Sequence, residues 1–191
     1  MNTLKRIFAG LFLVGLLAGG IALSLIPDYD LVLAPRPEFG QFVRSIEDGT
    51  SGKVRGVYVP NEFAFPVSQG WADNPRQNDA GVVFQIPGAD KATFLIAHDG
   101  LAGTYFYELK VGDEVRIVFG DGTWHSYYVS DIERYQVTAA NDFVAVNDPS
   151  VELNMDQMGT RYLNTDLVIF YTCLPNGFNP SWGRLLVSAK P

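Results

Sequence analysis

Three residues, Cys173, His98 and Arg184, have types and spacing suited to a chemical step. Cys173 is the single cysteine of the chain, so no internal disulfide can use it. A free thiol with a pKa of about 8.5 is mostly protonated at neutral pH, and the thiolate is the nucleophile. A histidine beside it can take the proton, or as imidazolium stabilise the thiolate, and later protonate a leaving amine. When a thiolate attacks an amide carbonyl, the oxygen gains negative charge, which a permanently charged guanidinium can stabilise. Together the three side chains are a minimal kit for acyl transfer. Each also has a plainer reading: a small buried hydrophobe for the thiol, a satisfied strand-end histidine, a surface arginine in an ion pair.

The flanking residues say what must position them. Cys173 ends the apolar run "DLVIFYTC" (166–173), Arg184 opens "RLLVSA" (184–189), and His98 ends "ATFLIAH" (92–98). Antiparallel pairing of the first two runs puts residues 173 and 184 on one rim, and a parallel alignment of 92–98 with 166–173 adds His98. The ten residues Leu174–Gly183 read as a long loop overhanging that rim, where sites on rigid scaffolds are built.

Further short apolar runs are separated by turn signals: 53–59, 62–67 (stopped by Pro66), 81–86, 114–119, 123–137 and 142–148. Asp121-Gly122 is a hairpin signal. Residues 68–81 read as a polar loop, and helix is expected only in short pieces: one ending near Gly49, one or two turns within 102–113 closed by Gly112, and one in 151–162. About eight or nine strands with little helix make a mostly β protein, a closed or nearly closed β-barrel.

The net charge is −7. The first 26 residues carry Lys5 and Arg6 and no acid, so twelve basic residues face 21 acidic ones in the remainder, a net −9. Such a surface repels phosphate backbones and excludes nucleic acid as a partner. Ile7–Ile26 has no charge and only Ser24 polar. As a helix it would span roughly 30 Å, a bilayer's hydrocarbon core, with Lys5 and Arg6 holding the short end in the cytoplasm. The expected organisation is an anchor over 1–26 (a cleaved signal peptide being the competing reading), a stalk with a short helix over 27–52, and an extracytoplasmic barrel over 53–191. His125, mid-run in "TWHSYYV", reads as structural. Two histidines so far apart with no carboxylate cluster give no metal signal; Asp142, Asp148 and Glu152 have no spacing that demands a cation. No phosphate loop, G-x-S-x-G or H-E-x-x-H motif is present, so no cofactor is expected.

From about Lys53 onward the chain resembles the sortases, membrane-anchored cysteine transpeptidases. "FLIAHDGLAGTYFYELKVGDEVRIVF" is similar to the segment in which their catalytic histidine ends a strand before a short helix. "VIFYTC" resembles their Thr-Leu-x-Thr-Cys box, with Ile169 and Phe170 in place of Thr-Leu, and "GRLLVSAK" their arginine-bearing last strand. The resemblance implies an eight-stranded sortase barrel, with His98 as general acid/base, Cys173 as nucleophile and Arg184 as the residue that orients substrate and stabilises the oxyanion. It implies ping-pong transfer from an LPXTG-like sorting signal on a surface protein to an amine acceptor, either a peptidoglycan peptide or a pilin lysine. Two other readings stay open. One is an anchored β-barrel that only binds a ligand. The other is an L,D-transpeptidase, although "FYT" before Cys173 departs from the Ser-His-Gly-Cys signature of that class.

Overall fold

The structure, a computed structural model, describes residues 35–70, 83–86, 91–139 and 142–191. Ten strands lie among them: β1 (Val54–Val59), β2 (Phe63–Gln69), β3 (Val83–Gln85), β4 (Thr93–Ile96), β5 (Glu114–Phe119), β6 (Trp124–Ala139), β7 (Asp142–Ala145), β8 (Glu152–Asn154), β9 (Val168–Asn176) and β10 (Asn179–Lys190). Two α-helices, α1 (Phe39–Ile46) and α2 (Met155–Leu163), and a 3₁₀ helix, η1 (Ala102–Glu108), complete the elements. The strands are hydrogen-bonded in the order β10-β9-β4-β3-β2-β1-β5-β6, and β6 pairs again with β10. That second pairing shuts an eight-stranded barrel, which removes the open sheet edges. β7 and β8 continue from the far half of β6 as a short antiparallel flap outside the ring.

Alternation along the strands sorts side chains to two faces. Leu95, Val168, Phe170, Leu185 and Val187 point inward to one large core. Phe94, Ile169 and Leu186, one residue out of phase, point outward to a second cluster with Tyr135, Phe143, Met158 and Tyr162. That outer layer exists because the flap and α2 cover this part of the barrel. Inside, η1 contributes Ala102 and Phe106 to the main core, joined by Leu109 just after it, and the Phe106 ring meets Phe170 edge-on at 4.9 Å. It thereby caps one end of the barrel. On another outer face α1 packs Phe42 against Ala64 and Val118.

Several boundaries differ from the sequence reading. Pro66 does not stop its strand: the β1–β2 register ends at Gly56↔Pro66 and the β2–β3 register begins at Val67. The missing N–H falls where the strand changes partners, so no ladder bond is lost. Residues 174–183 are not an open loop. β9 runs on to Asn176 and β10 starts at Asn179, joined by Gly177 (φ 57°) and Phe178. A glycine at the first central position suits a two-residue turn that matches strand twist, and β10 absorbs two extra residues between Asn179 and Gly183 as a bulge. The 151–162 segment divides into β8 and α2, the latter opened by a capping box between Asn154 and Gln157. The Asp121-Gly122 hairpin is present, with Gly122 at φ 79°. The apolar segment 7–26, the stalk up to residue 34 and most of the 68–81 loop lie outside the described residues. Among the described residues no helix is long and apolar enough to cross a membrane.

Candidate active site

Backbone pairing alone puts the three sequence-flagged residues in one row. Cys173 on β9 stands directly opposite Arg184 on β10. β4 runs parallel to β9 with Thr93↔Val168 through Ile96↔Tyr171, and Ala97 N–H donates to Tyr171 O at 3.2 Å. The same register carried two residues further sets His98 level with Cys173. All three fall in phase with the outward residues of their strands: His98 follows Phe94 and Ile96, Cys173 follows Ile169 and Tyr171, and Arg184 precedes Leu186. Each is half-buried. His125 is elsewhere, exposed near the β5–β6 hairpin with its ring edge-on to Phe119 at 5.3 Å.

The surroundings fix this row. Arg184 Nε donates to Tyr171 Oη at 2.6 Å, and Nη1 donates to the carbonyls of Gly183 (2.7 Å) and Ser181 (3.2 Å). The guanidinium is thus held from its own strand and from β9. Burial pushes the Tyr171 phenol up, with Arg184 pulling the other way. Behind His98, η1 approaches so closely that a Cβ on Gly103 would lie 2.7 Å from the carbonyl oxygens of Ala97 and His98 and nearer still to Thr172 Oγ1. Only glycine fits there. Gly103 N–H and Leu101 N–H both donate to His98 O, at 3.0 and 3.2 Å. Tyr107, at the far end of η1, reaches Cys173 O at 2.5 Å and Asp99 Oδ1 at 2.6 Å.

An apolar groove of about 620 Å³ crosses the outer face and meets the row at Tyr171, the residue that holds Arg184. Its floor is Phe94 and Ile96 of β4 and Tyr171 of β9, and its wall is Met155, Met158, Gly159 and Leu163 of α2. The wall is anchored to the barrel by polar bonds: Tyr162 Oη donates to Glu133 Oε2, Arg161 Nη2 donates to Glu133 Oε1 at 2.6 Å, and the hydroxyls of Tyr162 and Tyr135 are 2.9 Å apart. A half-buried thiol, a histidine and an arginine beside an apolar trough can hold an extended peptide and attack one of its carbonyls. For a metal the residues offer less. No group of three His, Cys, Asp or Glu that could hold an ion occurs among the described residues, and Asp148 is engaged by Ser150, whose N–H and hydroxyl both donate to it.

No protein-family profile matches the chain, and no curated protein matches it in sequence. Solved structures do. Sortase C-1 from Actinomyces oris aligns at TM-score 0.51 over 82% of this chain and 82% of its own, with 20% identity. Sortase A from Corynebacterium diphtheriae aligns at 0.50 over 72% of this chain and 60% of its own, with 19% identity. The fold is that of the sortases. A third sortase, Streptococcus agalactiae sortase C1 in complex with MTSET, aligns at 0.48, covering 77% of this chain and 71% of its own, with 23% identity. Within this sortase fold, reasoning from sequence missed Tyr107, Asp99 and Tyr171. Tyr171 carried a signal, since it lies two residues before Cys173 and so shares its face. Tyr107 carried none, because a 3₁₀ helix gives no periodicity that singles out one tyrosine in "TYFYE".

Proposed function

We propose that the chain is a sortase-type cysteine transpeptidase acting outside the cytoplasm, tethered by the apolar segment 7–26 with Lys5 and Arg6 on the cytoplasmic side. The observation that carries this reading is the single row of His98, Cys173 and Arg184 across β4, β9 and β10, beside an apolar groove. The groove takes the apolar residues of an LPXTG-like sorting signal in extended form. Cys173 as thiolate attacks the Thr carbonyl carbon. The C–N bond to the following glycine breaks as His98, protonated, delivers its proton to the leaving amine. Arg184 stabilises the oxyanion of each tetrahedral intermediate, with Tyr171 holding its Nε. In the second half an amine from a peptidoglycan peptide or a pilin lysine attacks the thioester, passes its proton to His98 and releases the thiolate.

The test is intact-mass analysis of the full-length chain incubated with a panel of sorting-signal peptides. A covalent acyl adduct on Cys173 is expected, absent in Cys173→Ala and formed at least 100-fold more slowly in His98→Gln, roughly the general acid–base contribution. If no peptide forms an adduct and native Cys173 also resists alkylation, the protein is a barrel that binds without catalysing.

A further inference from the structure

Outside the row of three, one set of polar atoms touches both the nucleophile's strand and the histidine's turn. Tyr107 Oη lies 2.5 Å from the main-chain oxygen of Cys173 and 2.6 Å from Asp99 Oδ1. A carbonyl and a carboxylate are both acceptors, and a phenol has one proton to give. Burial first, and then the Asp99 carboxylate, push the Tyr107 phenol above its ordinary value, so the proton stays on it. The bond is therefore shared between two acceptors on different segments.

Its position gives it a task. The β4–β9 register ends at Ile96↔Tyr171, followed by the Ala97 N–H to Tyr171 O bond. That ladder stops two residues short of His98 and Cys173, at the place where the chemistry needs their separation fixed. η1 bridges the gap from both sides. Its first turn holds the His98 carbonyl through Gly103 N–H, and its last turn holds the Cys173 carbonyl through Tyr107. Gly100 N–H donates to Thr104 Oγ1 at 3.0 Å, tying the intervening turn to the same helix.

We propose that Tyr107 and Asp99 are positioning residues, whose shared phenolic proton clamps the main chain of Cys173 to the turn that carries His98 and so sets the spacing of acid/base and nucleophile. The clamp rests on the transpeptidase reading of those two residues. The titratable groups that act on the Tyr107 phenol are Asp99 from the turn and Cys173 from β9, with His98 next to Asp99 in the chain. An imidazole displaced by about 1 Å forfeits much of its rate contribution, on the order of 10–100-fold.

The experiment uses the full-length chain as wild type, Tyr107→Phe, Asp99→Asn and Asp99→Ala, with two readouts. The first is the rate of Cys173 alkylation by iodoacetamide across pH 5–10, repeated in each background with His98→Gln. The difference in apparent thiol pKa between the paired proteins measures His98–Cys173 coupling without any peptide. Tyr107→Phe is expected to cut that difference by more than half. Asp99→Ala does so less, and Asp99→Asn least, since its amide oxygen still accepts from Tyr107. The second readout is transpeptidation, where kcat falls roughly tenfold in Tyr107→Phe with KM within about twofold. Coupling unchanged in Tyr107→Phe, or lost only in proportion to the thermal midpoint across all variants, overturns the clamp while leaving the transpeptidase intact. A wild type with neither adduct nor coupling sinks the functional reading, and the clamp with it.

Discussion

Helix α1 sets Phe42 and Ile46 against Gly56, where an added Cβ would come within 2.7 Å of Phe42 Cζ and closer still to Ile46 Cδ1. Helix α2 sets Met158 and Leu163 across from Phe94 and Ile96 and leaves about 620 Å³ between them. Both helices clad the outside of the same barrel, and both bring apolar side chains to it. They differ in what holds them. α1 is held by burial, with Phe39 and Tyr58 rings added at 4.9 Å and the Arg116 guanidinium 4.6 Å over Phe39. α2 is held by burial of Met158 and Tyr162 and also by the Tyr162–Glu133–Tyr135 and Arg161 bonds to β6, so it keeps its position while Met155 stays exposed. An apolar contact closes the space it fills, whereas a polar anchor can hold a wall at a distance. The groove lies beside the helix that adds the second method to the first.

The contrast predicts opposite responses to substitution. The largest effect belongs to Phe42→Ala, which should lose about 3–5 kcal/mol of stability in a urea titration while leaving the saturated rate of acyl-enzyme formation within about twofold. A parallel fall in that rate would break the comparison, since α1 would then be part of the site. Next comes Gly159→Phe. A Cβ at Gly159 meets only Leu163 Cδ1, at 3.8 Å, so the ring has room to enter the groove. Peptide KM should rise about tenfold, the cost of one displaced apolar contact, with an unfolding midpoint equal to or above wild type because a helical glycine is removed.

A smaller effect separates the helices by pH. Burial is the leading cause that raises the phenols of Tyr162 and Tyr135 above their ordinary value near 10. A raised folded pKa means that the unfolded chain loses its proton first. The stability tied to these phenols is thus complete below about pH 10 and drains away as pH climbs above it. Thermal midpoints measured from pH 8 to 11 should fall more steeply in wild type than in Tyr162→Phe. At pH 7 that variant should itself be about 1–2 kcal/mol less stable for the lost bonds to Glu133 and Tyr135. Equal slopes would mean that the α2 anchor does not depend on neutral phenols.

Much of this architecture was legible because it rests on alternation. The runs that became β1, β4, β5 and β9 show period-two or continuous apolar character. Cys173, Arg184 and His98 fall in one row once two pairings are granted, although Cys173 and Arg184 lie within their strands and His98 just beyond its own. What was hidden depends on events far along the chain. Pro66 reads as a stop until it is known that β2 changes partner beside it. The segment 174–183, rich in Asn, Pro and Gly, reads as a loop because those residues favour turns, yet ladder bonds to the neighbouring strand override the local preference. β7 falls within the run 142–148, but its partner β8 and the groove were out of reach for the same reason: the groove is a space between α2 and β4, and no residue in either announces it. Tyr107 touches a residue 66 positions away, a contact that only the closed barrel creates.

The parallel pairing of β4 with β9 also sets a clock. His98 precedes Cys173 by 75 positions, and a ribosome adding about 5–20 residues per second needs roughly 4–15 s to cover that interval. During that time the histidine turn exists without its thiol. Once Cys173 is made, it meets the other two residues of the row only when β9 slots between β4 and β10 and β10 closes onto β6. The row is therefore assembled only by completion of the barrel itself, from segments made seconds apart.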